Sequence, residues 1–89
     1  MNREMTSVLT MYSTDWCGDC RRSKRFLDSH GVNYTEINIE NDKSAAAYVM
    51  QLNNGMQSVP VLTFPDGSHL TEPSDLALSA KLKELAILK

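Results

Sequence analysis

Apolar and polar residues alternate over positions 7–13 (SVLTMYS), which predicts a strand. Positions 32–39 (VNYTEINI) alternate again and predict a second. Between them, Thr14-Asp15-Trp16 reads as a short turn, and positions 17–30 read as a helix that Gly31 is placed to stop. Asn41 or Asp42 can cap a second helix, from Lys43 to about Leu52. Its apolar residues Ala45, Ala46, Val49, Met50 and Leu52 have roughly helical spacing, and Asn53-Asn54-Gly55 ends it. Positions 59–64 (VPVLTF) predict a third strand, Pro65-Asp66-Gly67 a turn, and positions 68–71 a short fourth strand. Glu72-Pro73-Ser74 then opens a last helix with Ser74 as N-cap and Leu78, Leu82, Leu85 and Ala86 on its buried face.

The predicted order is β-α-β-α-β-β-α, an α/β fold. The first two strands need a helical crossover between them, so they pair in parallel; the last two share a tight hairpin, so they are antiparallel. A mixed four-stranded sheet flanked by helices is expected.

Composition narrows the class. With 89 residues there is room for one domain, 1–89, with its core at about residues 6–88. Hydrophobic content of 42% and charged content of 22% suit a globular protein, and a net charge of −2 argues against nucleic-acid binding. Positions 1–5 have no apolar core of signal-peptide length, and no apolar run approaches a membrane span. A cytoplasmic monomer that does not engage membranes is expected, in a compartment where thiols stay reduced.

The chemistry sits in positions 14–26, TDWCGDCRRSKRF, which hold both cysteines of the chain. A Cys-x-x-Cys run beside a β-α-β pattern is a redox signature. Cys17 falls where a strand gives way to a helix, and the free N–H groups there favour a thiolate, the attacking species in disulfide exchange. Cys20 lies three positions on, on the same helix face, where it can close a ring with Cys17. A structural zinc needs four ligands, and His30 and His69 are too far apart to complete one, so no metal site is expected in one chain. An inert buried pair, or a metal shared between two chains, stays open at this point.

These residues resemble the glutaredoxins, and in particular the short actinobacterial type called mycoredoxin. The likeness rests on TMYSTDWCGDC, on SVPVLTFPDGSHLTEPS and on the element order, and it spans nearly the whole chain beyond Thr6. It implies a thioredoxin-like fold and a thiol–disulfide oxidoreductase with Cys17 as nucleophile and Cys20 as resolving cysteine. Val59-Pro60 matches the family's cis-proline segment, whose backbone would pair with a substrate main chain, and Gln57 and Ser58 would line the same groove. No bound cofactor is implied. The co-substrate would be a low-molecular-weight thiol, mycothiol or glutathione, and the partners would be mixed-disulfide proteins and a mycothiol or thioredoxin reductase system. A thioredoxin-reductase-dependent dithiol donor to ribonucleotide reductase and an iron–sulfur-binding glutaredoxin are the alternatives within the family.

The chain also departs from the common pattern. Gly18-Asp19 stands where many relatives carry proline-tyrosine, and the Gly-Gly and Asp that help classical members hold glutathione are missing from positions 67–74. Arg21, Arg22, Lys24 and Arg25 crowd the helix start, where cations oppose the dipole. Arg21 and Lys24 are the better candidates among them to steady the thiolate or to hold a ligand carboxylate. Trp16 is expected to be exposed at the groove, Thr71 to offer it a hydrogen bond, and His30 and His69 to lie on the surface.

Overall fold

The computed structural model describes residues 9–88. The start of the first predicted strand, Ser7 and Val8, and the reading of positions 1–5 lie outside them. Within them the predicted order is present: β1 (Thr10–Ser13), α1 (Gly18–Ser29), β2 (Thr35–Asn38), α2 (Lys43–Leu52), β3 (Val61–Thr63), β4 (His69–Thr71) and α3 (Asp75–Glu84). The sheet order is β2-β1-β3-β4; β1 and β2 are parallel, and β3 runs antiparallel to both β1 and β4.

The two central strands are covered on both faces, which explains the nearly continuous apolar run at β3. Met11 and Leu62 join Leu27 of α1 and Leu78 and Leu82 of α3 in one core. Val61 points the other way, into a second core with Val49 of α2, Ile39 and both cysteines. Strand alternation thus sorts neighbouring residues to opposite faces of the sheet.

Several boundaries differ from the sequence reading. The predicted helix over 17–30 is shorter, with Cys17 as its N-cap and His30 as its C-cap. Strand two covers only Thr35–Asn38 of the predicted 32–39. The amide of Val32 is taken by the carbonyl of Leu27, and that of Gly31 by Asp28, with Gly31 at φ 67°. This Schellman cap uses the donor that a strand would need. At the other end the Asn38 side chain accepts the Glu40 amide and turns Ile39–Asn41 into a 3-10 turn. Strand three begins at Val61 rather than Val59, because the Val59 and Pro60 carbonyls serve contacts outside the sheet.

The last helix stops at Glu84, two residues before the predicted face ends. Leu85 is its half-buried C-cap, and Ala86 is exposed at φ 61°, with the Ile87 amide returning to Leu82 and the Ala86 amide to Lys83. This is a second Schellman cap with alanine where glycine is unstrained. Ala86→Gly is therefore expected to stabilise the protein by about 0.5–1 kcal/mol, the relieved strain outweighing the added unfolded-state entropy. A thermal melt would show it as a rise of roughly 2–8 °C.

No helix among the described residues is long and apolar enough to cross a membrane.

Candidate active site

Register brings one end of all four strands together. Tyr12 faces Val61 across an antiparallel pair, so the chain leaving β1 and the chain entering β3 emerge side by side. Thr71 also faces Val61, and Asn38 faces Ser13, which adds the ends of β4 and β2. Cys17 and Val59, 42 positions apart, meet there, and the Cys17 thiol donates to the Val59 carbonyl at 3.6 Å. The Val59–Pro60 bond is cis. The Pro60 carbonyl accepts the Glu72 amide at 2.8 Å.

Cys17 is the N-cap of α1. Its backbone is extended, and its Sγ accepts the Cys20 amide at 3.1 Å. That place is usually taken by a serine, threonine or aspartate oxygen. A sulfur there accepts an otherwise free N–H of the first helical turn. Cys20 sits one turn on, 3% exposed. Burial first, then its hydrogen bond with Cys17, pushes its thiol up to about 12. The two sulfurs, both free thiols, are therefore unequal: one opens on a cleft, and the other stays protonated behind it.

The cleft has a volume of about 470 Å³. Trp16, Cys17, Gln57, Ser58 and Val59 line it, as do Gly18, Asp19 and Glu72. Trp16 is 69% exposed, and its indole N–H donates to the Glu40 carboxylate at 2.7 Å. It also borders a neighbouring cleft of about 530 Å³ formed with Thr14, Ile39, Glu40, Ala46 and Gln57.

Other residues singled out in the sequence are placed elsewhere. The Lys24 ammonium lies 3.0 Å from Glu36 and 3.2 Å from the Tyr34 hydroxyl, against β2; the bond to Glu36 is the main cause that raises its pKa. Arg21 donates to the Asp15 carbonyl at 3.1 Å. Arg22 pairs with Asp19 at 3.0 Å and approaches Asp75 at 3.8 Å. Neither Arg21 nor Lys24 lines the cleft, because local acceptors hold both. Pro60 is buried behind the wall. The Thr71 hydroxyl donates to Asn53 at 2.7 Å, and Ser74 caps α3 through the Ala77 amide. His30 and His69 are exposed, as expected.

Two residues at the site went unnoticed in the sequence. The Asn53 amide group donates to the Ser58 carbonyl at 3.0 Å while accepting from Thr71, so it ties the cleft wall to β4. As a helix-ending asparagine it carried no sign of this. Glu72 lines the cleft with φ 50°, a conformation uncommon for a residue other than glycine or asparagine. A charged residue between a strand and Pro73 was the only hint.

Comparison with known proteins agrees with this geometry. The glutaredoxin family model matches residues 9–70. A candidate glutaredoxin of Mycobacterium tuberculosis is 43% identical over 82 residues, 92% of this chain and 98% of that protein. Mycoredoxin 1 of Corynebacterium glutamicum is 38% identical over 80 residues, 90% of this chain and 99% of that one. The crystal structure of a glutaredoxin from Archaeoglobus fulgidus superposes with a TM-score of 0.68 at 28% identity, covering 97% of this chain and 96% of its own. The fold is the thioredoxin-like fold of that family. With a capping sulfur at a cleft and a buried thiol behind it, the chain belongs to the glutaredoxin family and is a thiol–disulfide oxidoreductase with the Cys-x-x-Cys pair Cys17 and Cys20.

Proposed function

We propose that the protein reduces mixed disulfides between cytoplasmic proteins and a low-molecular-weight thiol, with mycothiol as that thiol. The observation that carries this reading is the unequal pair: the Cys17 sulfur caps α1 and opens on the cleft, and Cys20 is buried and protonated behind it.

Each step balances. The Cys17 thiolate attacks the small-thiol sulfur of the mixed disulfide; a new S–S bond forms on Cys17, the old one breaks, and the protein cysteine leaves as thiolate. A free small thiol, as thiolate, then attacks the sulfur held by Cys17. It leaves as the oxidised small-thiol dimer, and the Cys17 thiolate returns. The alternative resolution is attack by Cys20 on Cys17, which closes the internal disulfide and releases the small thiol. Burial, the first cause that raises the Cys20 thiol, persists when Cys17 carries the small thiol and slows that internal route.

Gln57, Ser58 and Val59 form the wall opposite Cys17 and would border the bound thiol, with Pro60 and the Asn53 link behind them. Trp16 would flank it from the β2 side. Mycothiol is favoured by the likeness to Mycoredoxin 1 and by the absence of a lysine or arginine among the cleft-lining residues. Glutathione brings two carboxylates that would need such partners; mycothiol has none.

The test is NADPH oxidation coupled to reduction of a small mixed disulfide, run with mycothiol and its reductase, with glutathione and its reductase, and with thioredoxin reductase alone. Turnover is expected with mycothiol and to survive Cys20→Ser within about threefold, since the external thiol does the resolving. Turnover with thioredoxin reductase alone, lost in Cys20→Ser, would instead make this a dithiol donor.

A further inference from the structure

We propose that Glu72 makes the Cys17 cleft select its small thiol by charge, admitting neutral or cationic thiols and opposing anionic ones. This rests on the reading that the cleft receives a low-molecular-weight thiol.

Three observations lead there. First, the charged residues that line the cleft are both acidic, Asp19 and Glu72. Second, they are not equivalent. Asp19 is paired with Arg22 at 3.0 Å, whereas Glu72 has no ion-pair partner among the described residues. Two of the nearby helix cations are engaged by other groups, Arg21 by the Asp15 carbonyl and Lys24 by Glu36 and Tyr34. Glu72, exposed and lining the cleft together with Cys17, therefore brings to it a carboxylate with no ion-pair partner among the described residues. Third, Glu72 occupies that place against its backbone preference. At φ 50° glycine would be unstrained, yet a glutamate stands there, its backbone held by the bond from its own amide to the Pro60 carbonyl.

A carboxylate on an incoming thiol or disulfide would enter the field of Glu72 with no lysine or arginine in the cleft lining to offset it. Like charges at such range in partly hydrated surroundings repel measurably, and salt screens them. An ammonium group would be drawn in by the same field. Glutathione, with two carboxylates and one ammonium, is opposed on balance.

Charged probes test this without any reductase. Reduced protein is mixed separately with cystamine, bis(2-hydroxyethyl) disulfide and 3,3′-dithiodipropionate, which are cationic, neutral and anionic. In each case the Cys17 thiolate attacks one sulfur, the probe's S–S bond breaks, one half stays on Cys17 and the other leaves as thiolate. Acid quenching and mass spectrometry give the rate, normalised to the same probe reacting with 2-mercaptoethanol. The cation-to-anion rate ratio is expected to fall about 3- to 10-fold in Glu72→Gln and to fall similarly for wild type in 0.5 M salt. Glu72→Asp should restore it, and the neutral probe should move little. A change in Cys17 reactivity alone would shift all three rates together and cancel in the ratio. A ratio unchanged by Glu72→Gln, with that variant melting like wild type, would overturn the role of Glu72. The expected charge order, combined with turnover only on thioredoxin reductase, would overturn the small-thiol reading and leave the charge selection standing.

Discussion

Cys17→Ser is expected to lower disulfide-reductase turnover by about a thousandfold or more while leaving the fold intact. A serine hydroxyl at neutral pH has almost none of the anionic form that attacks a disulfide, and oxygen is a far poorer nucleophile toward sulfur than a thiolate. Cys20 cannot take over: it is 3% exposed and its thiol is pushed up to about 12. Serine is also among the preferred N-cap residues, so its oxygen can accept the same Cys20 amide that the sulfur accepts now. The variant should melt within about 1 kcal/mol of wild type, whereas Cys17→Ala would forfeit the cap and lose about 0.5–2 kcal/mol. Coupled turnover and a thermal melt on the same preparations check both halves. Residual turnover within tenfold of wild type would show that Cys17 is not the nucleophile.

The second large effect concerns stability. Leu62→Ala is expected to destabilise the protein by about 2–5 kcal/mol, since Leu62 is fully buried in one core with Leu27 and the helix α3 leucines. Small proteins have only roughly 5–15 kcal/mol in hand, so the melting temperature should fall by about 10–30 °C. The cysteines belong to the core on the opposite face of the sheet, with Val61 and Val49. Well below its melting point the variant should therefore keep near-normal turnover per folded molecule. A melt and a low-temperature assay would separate the two; turnover lost without a lowered melting point would contradict this division of the cores.

Much of the fold was legible locally. The alternation in β1, the turn at Pro65-Asp66-Gly67, the Ser74 cap and the Gly31 stop each declare themselves over a few residues. Each involves contacts between near neighbours, whose preferences are written in residue type. Boundaries failed where a backbone donor had two possible partners. The Val32 amide went to the α1 cap rather than the sheet, and Ala86 took a left-handed position that alanine does not advertise.

The site divides along the same line. The sequence alone determined that two thiols sit one helical turn apart at a helix start, because a capping sulfur needs only a strand, a turn and a helix in succession. It also determined that a proline strand would accompany them, through the likeness that VPVLTF carries. Only the tertiary structure decided what surrounds the sulfur. Antiparallel pairing of β1 with β3 and β4 with β3 brings Val59 and Glu72 to Cys17, and parallel pairing of β2 brings Glu40 to Trp16. Arg21, Arg22 and Lys24, close to the cysteines in sequence, are turned to other acceptors, and the charge in the cleft without an ion-pair partner among the described residues comes from Glu72, 55 positions beyond Cys17. Side-chain charge finds its partners in space, so which charges remain to meet a substrate depends on strand register rather than on distance along the chain.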